Sequence, residues 1–278
     1  MMRMLTHTLL TWLILGAAAP TVSAQTICGE PVKTKASAGC LVEQASFSAK
    51  ARSLQRAPSF VASYRKATRI GAPTLILLHG SGGNETSLMD LAAKAAPGAA
   101  LLGIRGRVVQ DGVNRWYKRI TPTRFDQKDI LAEADAFAAF MKAAQKQYDI
   151  DPSKAIYLGY SNGANLLAAL SLLHPDLVQR AALLRPMMVL QIVPSADLAD
   201  DKILAVAGKN DVTYGSFAPG LAKVLRAKGA KVAGQTVELG HLLGEADVVA
   251  VRKWLEIVSP SDNAAALATL SASANQRR

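Results

Sequence analysis

The chain has 278 residues, is 50% hydrophobic but only 5% aromatic, and carries a formal net charge of +11. That size and composition suit one α/β domain with a full core and exclude a disordered or fibrous protein. The basic residues are scattered (Lys33, Lys50, Arg65, Lys118, Lys146, Lys209, Lys228, Arg252) and no nucleic-acid motif accompanies them, so no nucleic-acid partner is expected; the charge serves solubility and weak attraction to anionic surfaces.

Residues 1–24 have the layout of a signal peptide. Arg3 supplies the positive start, an apolar stretch of residues 9–19 follows, and Val22-Ser23-Ala24 places small residues at a cleavage site. Gln25 is the expected mature N-terminus, and the protein is expected to be secreted or periplasmic without a stable membrane anchor. An uncleaved anchor is the alternative, but the apolar stretch is short for a bilayer span. The only two cysteines, Cys28 and Cys40, follow closely. In an oxidising compartment they are expected to form a disulfide, worth about 2–3 kcal/mol for a short loop. With no histidine or further cysteine beside them, they do not suggest a metal site. No metal or cofactor is expected.

Residues 25–258 read as one domain in which apolar runs of strand length alternate with longer helical patterns, the mark of a mostly parallel sheet with helices on both faces. Residues 60–70 are expected to form an N-terminal hairpin arm. Strands are expected at 74–78, 100–104, 155–158, 181–184, 203–207 and 235–239. Helices are expected at 87–95, 129–148, 164–173, 217–228 and 246–258. In the longest, Ile130, Ala134, Phe137, Phe140 and Met141 recur at helical spacing. Residues 105–127 look irregular and are too long for a simple connector, which suggests a functional loop or a small cap. Residues 259–278, rich in Ser, Ala, Asn and Asp, are expected to be a flexible tail.

Gly159-Tyr160-Ser161-Asn162-Gly163 lies between an apolar strand and a helix. In that context Gly-x-Ser-x-Gly is a nucleophile elbow: a sharp turn pushes the serine hydroxyl out at the top of a sheet, and the flanking glycines avoid collisions with neighbouring elements. A serine hydroxyl needs a base, and the base an orienting acid. In this architecture they follow in the order Ser, Asp or Glu, His. Of four histidines, only His241 lies beyond Ser161 at the end of a strand; His7 belongs to the signal, and His79 and His174 precede Gly80 and Pro175. Asp211 follows the 203–207 strand. Asp197, Asp200 and Asp201 precede that strand, and Asp247 falls after the histidine. Ser161, Asp211 and His241 are therefore the expected catalytic residues.

Acyl transfer also needs two N–H donors for the developing oxyanion. The Asn162 N–H, at the start of the elbow helix, is one. The other should come from His79-Gly80-Ser81-Gly82-Gly83-Asn84 after the first central strand, at Ser81 or failing that Gly82. A phosphate-cradling reading of this loop lacks the necessary Lys-Ser/Thr pair.

Together these residues resemble the α/β-hydrolase superfamily, and within it the phospholipase/carboxylesterase group that includes dienelactone-hydrolase-like enzymes. The resemblance runs over residues 73–255. It rests on Leu77-Leu78-His79-Gly80-Ser81-Gly82-Gly83-Asn84, on Tyr160-Ser161-Asn162-Gly163-Ala164-Asn165, and on the placing of Asp211 and His241. Weaker echoes are Arg105-Gly106, Arg115-Trp116-Tyr117-Lys118-Arg119, Phe125-Asp126, His174-Pro175-Asp176 and Arg185-Pro186-Met187. The chain departs from the group in its exported N-terminus and in Leu242-Leu243-Gly244, where a polar Gln-Leu-Thr type is expected. The resemblance implies an α/β-hydrolase fold and a serine hydrolase acting on small-molecule carboxylic esters. Arg115, Trp116, Tyr117 and Met187 are candidates for lining the substrate pocket. Thioesters, lactones or (lyso)phospholipids use the same residues, and a non-catalytic binding protein could keep the same fold.

Overall fold

The apolar runs become strands buried on both faces, as a sheet covered by helices on each side requires. The computed structural model describes residues 53–57 and 59–259. In chain order its elements are β1 (Leu54–Arg56), β2 (Val61–Arg65), β3 (Thr74–Leu78), α1 (Met89–Ala95), β4 (Ala100–Arg105), β5 (Val108–Gln110), β6 (Val113–Arg115), β7 (Arg119–Thr121), β8 (Arg124–Phe125), α2 (Gln127–Gln147), β9 (Ala155–Tyr160), α3 (Asn162–Leu173), β10 (Arg180–Leu184), β11 (Lys202–Gly208), α4 (Phe217–Ala227), β12 (Lys231–Val237) and α5 (Glu245–Val258). The proposed signal segment, the Cys28–Cys40 pair and residues 260–278 lie outside the described residues.

Seven strands form the main sheet in the order β12-β11-β10-β9-β3-β4-β2. All neighbours are parallel except β2, which runs antiparallel along β4. Alternation along the central strand divides the core. Ile76 and Leu78 face the layer built from α2, α3 and α4. Leu75 and Leu77 face α1 and α5. This is the period of two expected of a pleated strand, with both faces apolar.

Several boundaries differ from those expected, each for a physical reason. Residues 60–70 form no hairpin; Val61 to Arg65 pair with Arg105 to Leu101 and extend the main sheet. The last strand starts at Lys231 and ends at Val237; it is a largely exposed edge strand in which Lys231, Gly234, Gln235 and Thr236 break up the apolar residues. Leu239 falls in the loop that carries His241.

Residues 105–127 are not structureless. They fold into two small hairpins, β5–β6 and β7–β8, with β1 added along β5. The first turns on Asp111-Gly112, both with positive φ (54° and 76°), the backbone a tight two-residue hairpin requires. Arg56 and Arg107 both ion-pair with Glu133 of α2, anchoring β1 and the start of the hairpin segment to that helix.

Candidate active site

The C-terminal ends of the parallel strands converge on one cleft. At the end of β9, Ser161 has φ 48° and ψ −112°. This strained conformation costs about 1–3 kcal/mol and must be held by its surroundings. The Ser161 N–H donates to the Leu184 carbonyl of β10 at 2.8 Å, and its carbonyl accepts from Asn165 at 2.9 Å. A Cβ at Gly159 would come within 2.7 Å of the Ala164 nitrogen, and one at Gly163 within 2.3 Å of the Leu78 carbonyl oxygen. Strand, turn and helix fit together only with both glycines in place.

The expected partners arrive from neighbouring strands. His241 Nε2 lies 3.0 Å from Ser161 Oγ, and its Nδ1 lies 2.6 Å from Asp211 Oδ2. These distances suit the tautomer in which Nδ1–H donates to the carboxylate and Nε2 accepts from the serine hydroxyl. Burial pushes the Asp211 carboxyl up. Hydrogen bonds from His241 and from the Tyr214 and Thr213 N–H groups together outweigh it and hold the carboxyl below the usual carboxylate range. The Tyr214 ring packs against the His241 imidazole at 4.9 Å between centroids. Tyr160 OH donates to the His241 carbonyl at 3.0 Å.

The loop after β3 lies against this group. Gly82 N–H is committed to the Asn114 carbonyl at 2.9 Å and Gly83 N–H to the Gly80 carbonyl at 3.0 Å. Among the described residues the Ser81 N–H makes no hydrogen bond, which favours it over Gly82 as the second oxyanion donor. His79 braces the loop. Its Nδ1–H donates to the Gly80 carbonyl at 2.6 Å and its Nε2 accepts from Gly106 N–H at 3.0 Å. Burial is the main cause that lowers the His79 pKa, so the ring stays neutral, as this acceptor role demands.

The four proposed lining residues divide. Arg115 and Met187 line the cleft, together with Ser81, Ser161, Asn162 and Asn165. Trp116 and Tyr117 do not: both are fully buried. Trp116 ties two loops together. Its N–H donates to Asn162 Oδ1 and its indole N–H to the His79 carbonyl, both at 2.8 Å. Its ring packs on Phe60 and Phe137, and Tyr117 packs edge-on against Phe125. Asn165 plays a similar bracing part, accepting from Met187 N–H at 2.8 Å.

Sequence reasoning missed Arg119, Pro122 and Phe125 of the second hairpin, and Tyr214, all at the cleft wall. Arg119 and Phe125 fall within motifs that echo the family, and Tyr214 lies three residues after Asp211, where an aspartate side chain accepts from a following N–H. The cleft encloses about 30 Å³. A larger groove of about 860 Å³ lies at the opposite end of the strands, between Pro73, Lys154, Arg180 and α5. It holds no histidine, and its one hydroxyl, Ser259, has no imidazole beside it, so the small cleft is the site with chemistry. No group of acidic, histidine or cysteine side chains able to hold a metal occurs among the described residues.

A mostly parallel sheet whose strand ends present a strained serine, a histidine and a buried aspartate in this chain order defines an α/β hydrolase. No family model matches the chain. It is 33% identical over 181 residues to the putative hydrolase MhqD of Bacillus subtilis (strain 168), covering 65% of this chain and 90% of that protein. Solved structures are similar as well, among them two carboxylesterases. A carboxylesterase from Mesorhizobium loti is 48% identical, with a TM-score of 0.69 over 70% of this chain and 94% of that one. The Bacillus cereus carboxylesterase is 30% identical, with a TM-score of 0.68 over 72% and 94%. The chain belongs to the phospholipase/carboxylesterase family of the α/β hydrolases and is a carboxylesterase-like hydrolase.

Proposed function

We propose that the protein hydrolyses small carboxylic esters through a covalent acyl-enzyme at Ser161. The observation that carries this reading is the continuous hydrogen-bonded line from Ser161 Oγ through His241 to Asp211. His241 Nε2 takes the serine proton as Oγ attacks the ester carbonyl. The Asn162 and Ser81 N–H groups receive the oxyanion, each worth about 3–4 kcal/mol in the transition state by analogy with measured oxyanion holes. The intermediate collapses as His241 protonates the leaving alcohol. A water molecule, deprotonated by the same nitrogen, then releases the acid and restores the serine. Asp211, held ionised, orients the imidazole and stabilises its cationic form. A non-catalytic binding role would not require the strained φ of Ser161 or the alignment of its three partners.

Labelling the purified full chain with a fluorophosphonate, followed by peptide mapping, tests this. The expected result is a single adduct on Ser161, absent from Ser161→Ala, with ester hydrolysis lost in parallel. A folded protein that neither labels nor hydrolyses esters overturns the reading. Export belongs to the same proposal, supported by Arg3, the apolar stretch of residues 9–19 and Val22-Ser23-Ala24. Sequencing the N-terminus of protein recovered outside the cytoplasm should give Gln25; a cytoplasmic protein with an intact leader would refute it.

A further inference from the structure

Two guanidinium groups stand in the cleft without an acid to balance them. Arg115 and Arg119, on successive short strands of the hairpin segment, both line it beside Ser161. Arg115 is only 7% exposed. Its Nη1 donates to Ser81 Oγ at 2.9 Å and its buried Nε has no partner. Among the described residues neither arginine forms an ion pair, whereas Arg56, Arg105, Arg107 and Arg185 each meet a carboxylate. The nearby carboxylates do not balance them: Asp211 is committed to His241, and Asp111, exposed at the tip of the first hairpin, acts on Arg115 less than burial and the Arg119 charge do.

A buried guanidinium without a counter-ion is unfavourable, and two of like sign in one cleft more so. Burial first, and the Arg119 charge second, lower the Arg115 pKa. An anion entering the cleft relieves both effects, and the arginine fork is suited to a carboxylate. Resting on the esterase reading above, we infer that Arg115 and Arg119 bind a free carboxylate on the substrate. The substrate class is then short esters that also carry an acid group.

The carboxylate can lie on the acyl side, as in a monoester of a short dicarboxylic acid, or on the alcohol side, as in an O-acylated short hydroxy acid. Two substrate pairs separate these sources. Monoethyl glutarate and the acetate ester of a short hydroxy acid are each compared with the neutral ester in which an isopropyl group replaces the carboxylate. The readout is the charged-to-neutral ratio of kcat/KM for the full chain. One of the two ratios is expected to exceed one by about tenfold or more, the range for hydrogen bonds to charged groups. That ratio should fall at least tenfold in Arg115→Met and in Arg119→Gln, and recover in part in Arg119→Lys.

Arg119→Gln carries the test should Arg115→Met disturb the Ser81 loop and fail to fold. Fluorophosphonate labelling of Ser161 with both wild-type ratios at or below one overturns this inference and leaves the esterase reading standing. A fall in kcat/KM that is equal for charged and neutral esters in both variants also overturns it, reducing the arginines to supports of the Ser81 loop. Absence of labelling removes the esterase reading and this inference with it.

Discussion

Replacing Arg185 by Met should damage both stability and turnover. Arg185 follows directly on β10 in a left-handed conformation (φ 55°), and its side chain meets the His241 loop. There it donates through Nε to the Gly240 carbonyl at 2.9 Å and through Nη1 and Nη2 to the two carboxylate oxygens of Asp247 at 2.8 and 3.1 Å. A longer contact of 3.4 Å reaches the Leu242 carbonyl. Both charged side chains are fully buried. Removing one partner leaves a buried carboxylate unpaired, which costs about 3–5 kcal/mol. It also releases the two carbonyls on either side of His241. Arg185 borders the cleft, but its guanidinium nitrogens are spent on Asp247 and the His241 loop, so it acts as a positioning residue that fixes where His241 sits. A displacement of the base by about 1 Å can cost on the order of 100-fold in rate.

Urea unfolding and steady-state hydrolysis of a neutral ester, on Arg185→Met, Asp247→Asn and the double variant, supply the numbers. The single Arg variant should lose about 3–5 kcal/mol and about 10- to 100-fold in kcat, with KM moving less. Arg185→Lys should recover only part, because an ammonium cannot form the two-pronged contact. The double variant should be more stable than the single losses predict, since neutralising Asp247 removes the unpaired charge. A loss below about 1 kcal/mol, strict additivity, or wild-type kcat in Arg185→Met would refute the argument.

Asp211→Asn should fold normally yet lose about 10³–10⁴-fold in kcat, because the amide no longer selects the tautomer whose Nε2 can accept the serine proton; steady-state kinetics read this directly. Gly163→Ala should be destabilised by about 3 kcal/mol or more, since the new methyl would sit 2.3 Å from the Leu78 oxygen and 2.6 Å from that of His79; a melting temperature equal to wild type would contradict it. Asp201, buried just before β11 with Oδ2 unpartnered, is pushed up to about 7 by burial, with Asp200 and Asp197 adding to the effect. Its unfolded value is about 3.9, so the folded state prefers it protonated. Its effect on stability is therefore nil below about pH 4 and grows increasingly unfavourable up to about pH 7. Asp201→Asn should raise stability at about pH 8 by about 1–2 kcal/mol, after allowance for local relaxation, and leave it unchanged near pH 4. Chemical denaturation at both pH values checks the sign.

The sheet and the proposed reacting residues are legible because each depends on a short stretch of chain. Leu75 to Leu78 announce a buried strand by their own apolarity, and Gly159 to Gly163 carry the elbow in five consecutive residues. Asp211 and His241 follow from strand ends and chain order, without knowledge of how the loops pack. Trp116 and Tyr117 were misplaced because their types suit a pocket wall as well as a core. The choice is made by Phe60, Phe137 and Phe125, which are remote in sequence or belong to elements not recognised. Arg185 is echoed in Arg185-Pro186-Met187, but its role is not readable there, since it lies in a carboxylate on α5 and two carbonyls of the His241 loop.

The least legible segment is also the one that differentiates the cleft. Residues 105–127 lack apolar periodicity because their strands are two or three residues long and bury at most two side chains each. The Asp111-Gly112 turn was the one available sign of a hairpin. Ser161, His241 and Asp211 need fixed geometry, which the ends of a rigid sheet supply, and fixed geometry leaves a regular trace in sequence. Arg115, Arg119, Pro122 and Phe125 instead shape and charge the space in front of Ser161. They stand on short strands whose backbone is held from elsewhere, by Glu133 on Arg56 and Arg107 and by Gln110 on the Arg119 backbone. Replacing Arg119 or Pro122, which are tied less closely to the Ser81 loop and the core than Arg115 and Phe125, can alter what the cleft accepts without disturbing the sheet, so specificity can change here while the Ser161 geometry is retained.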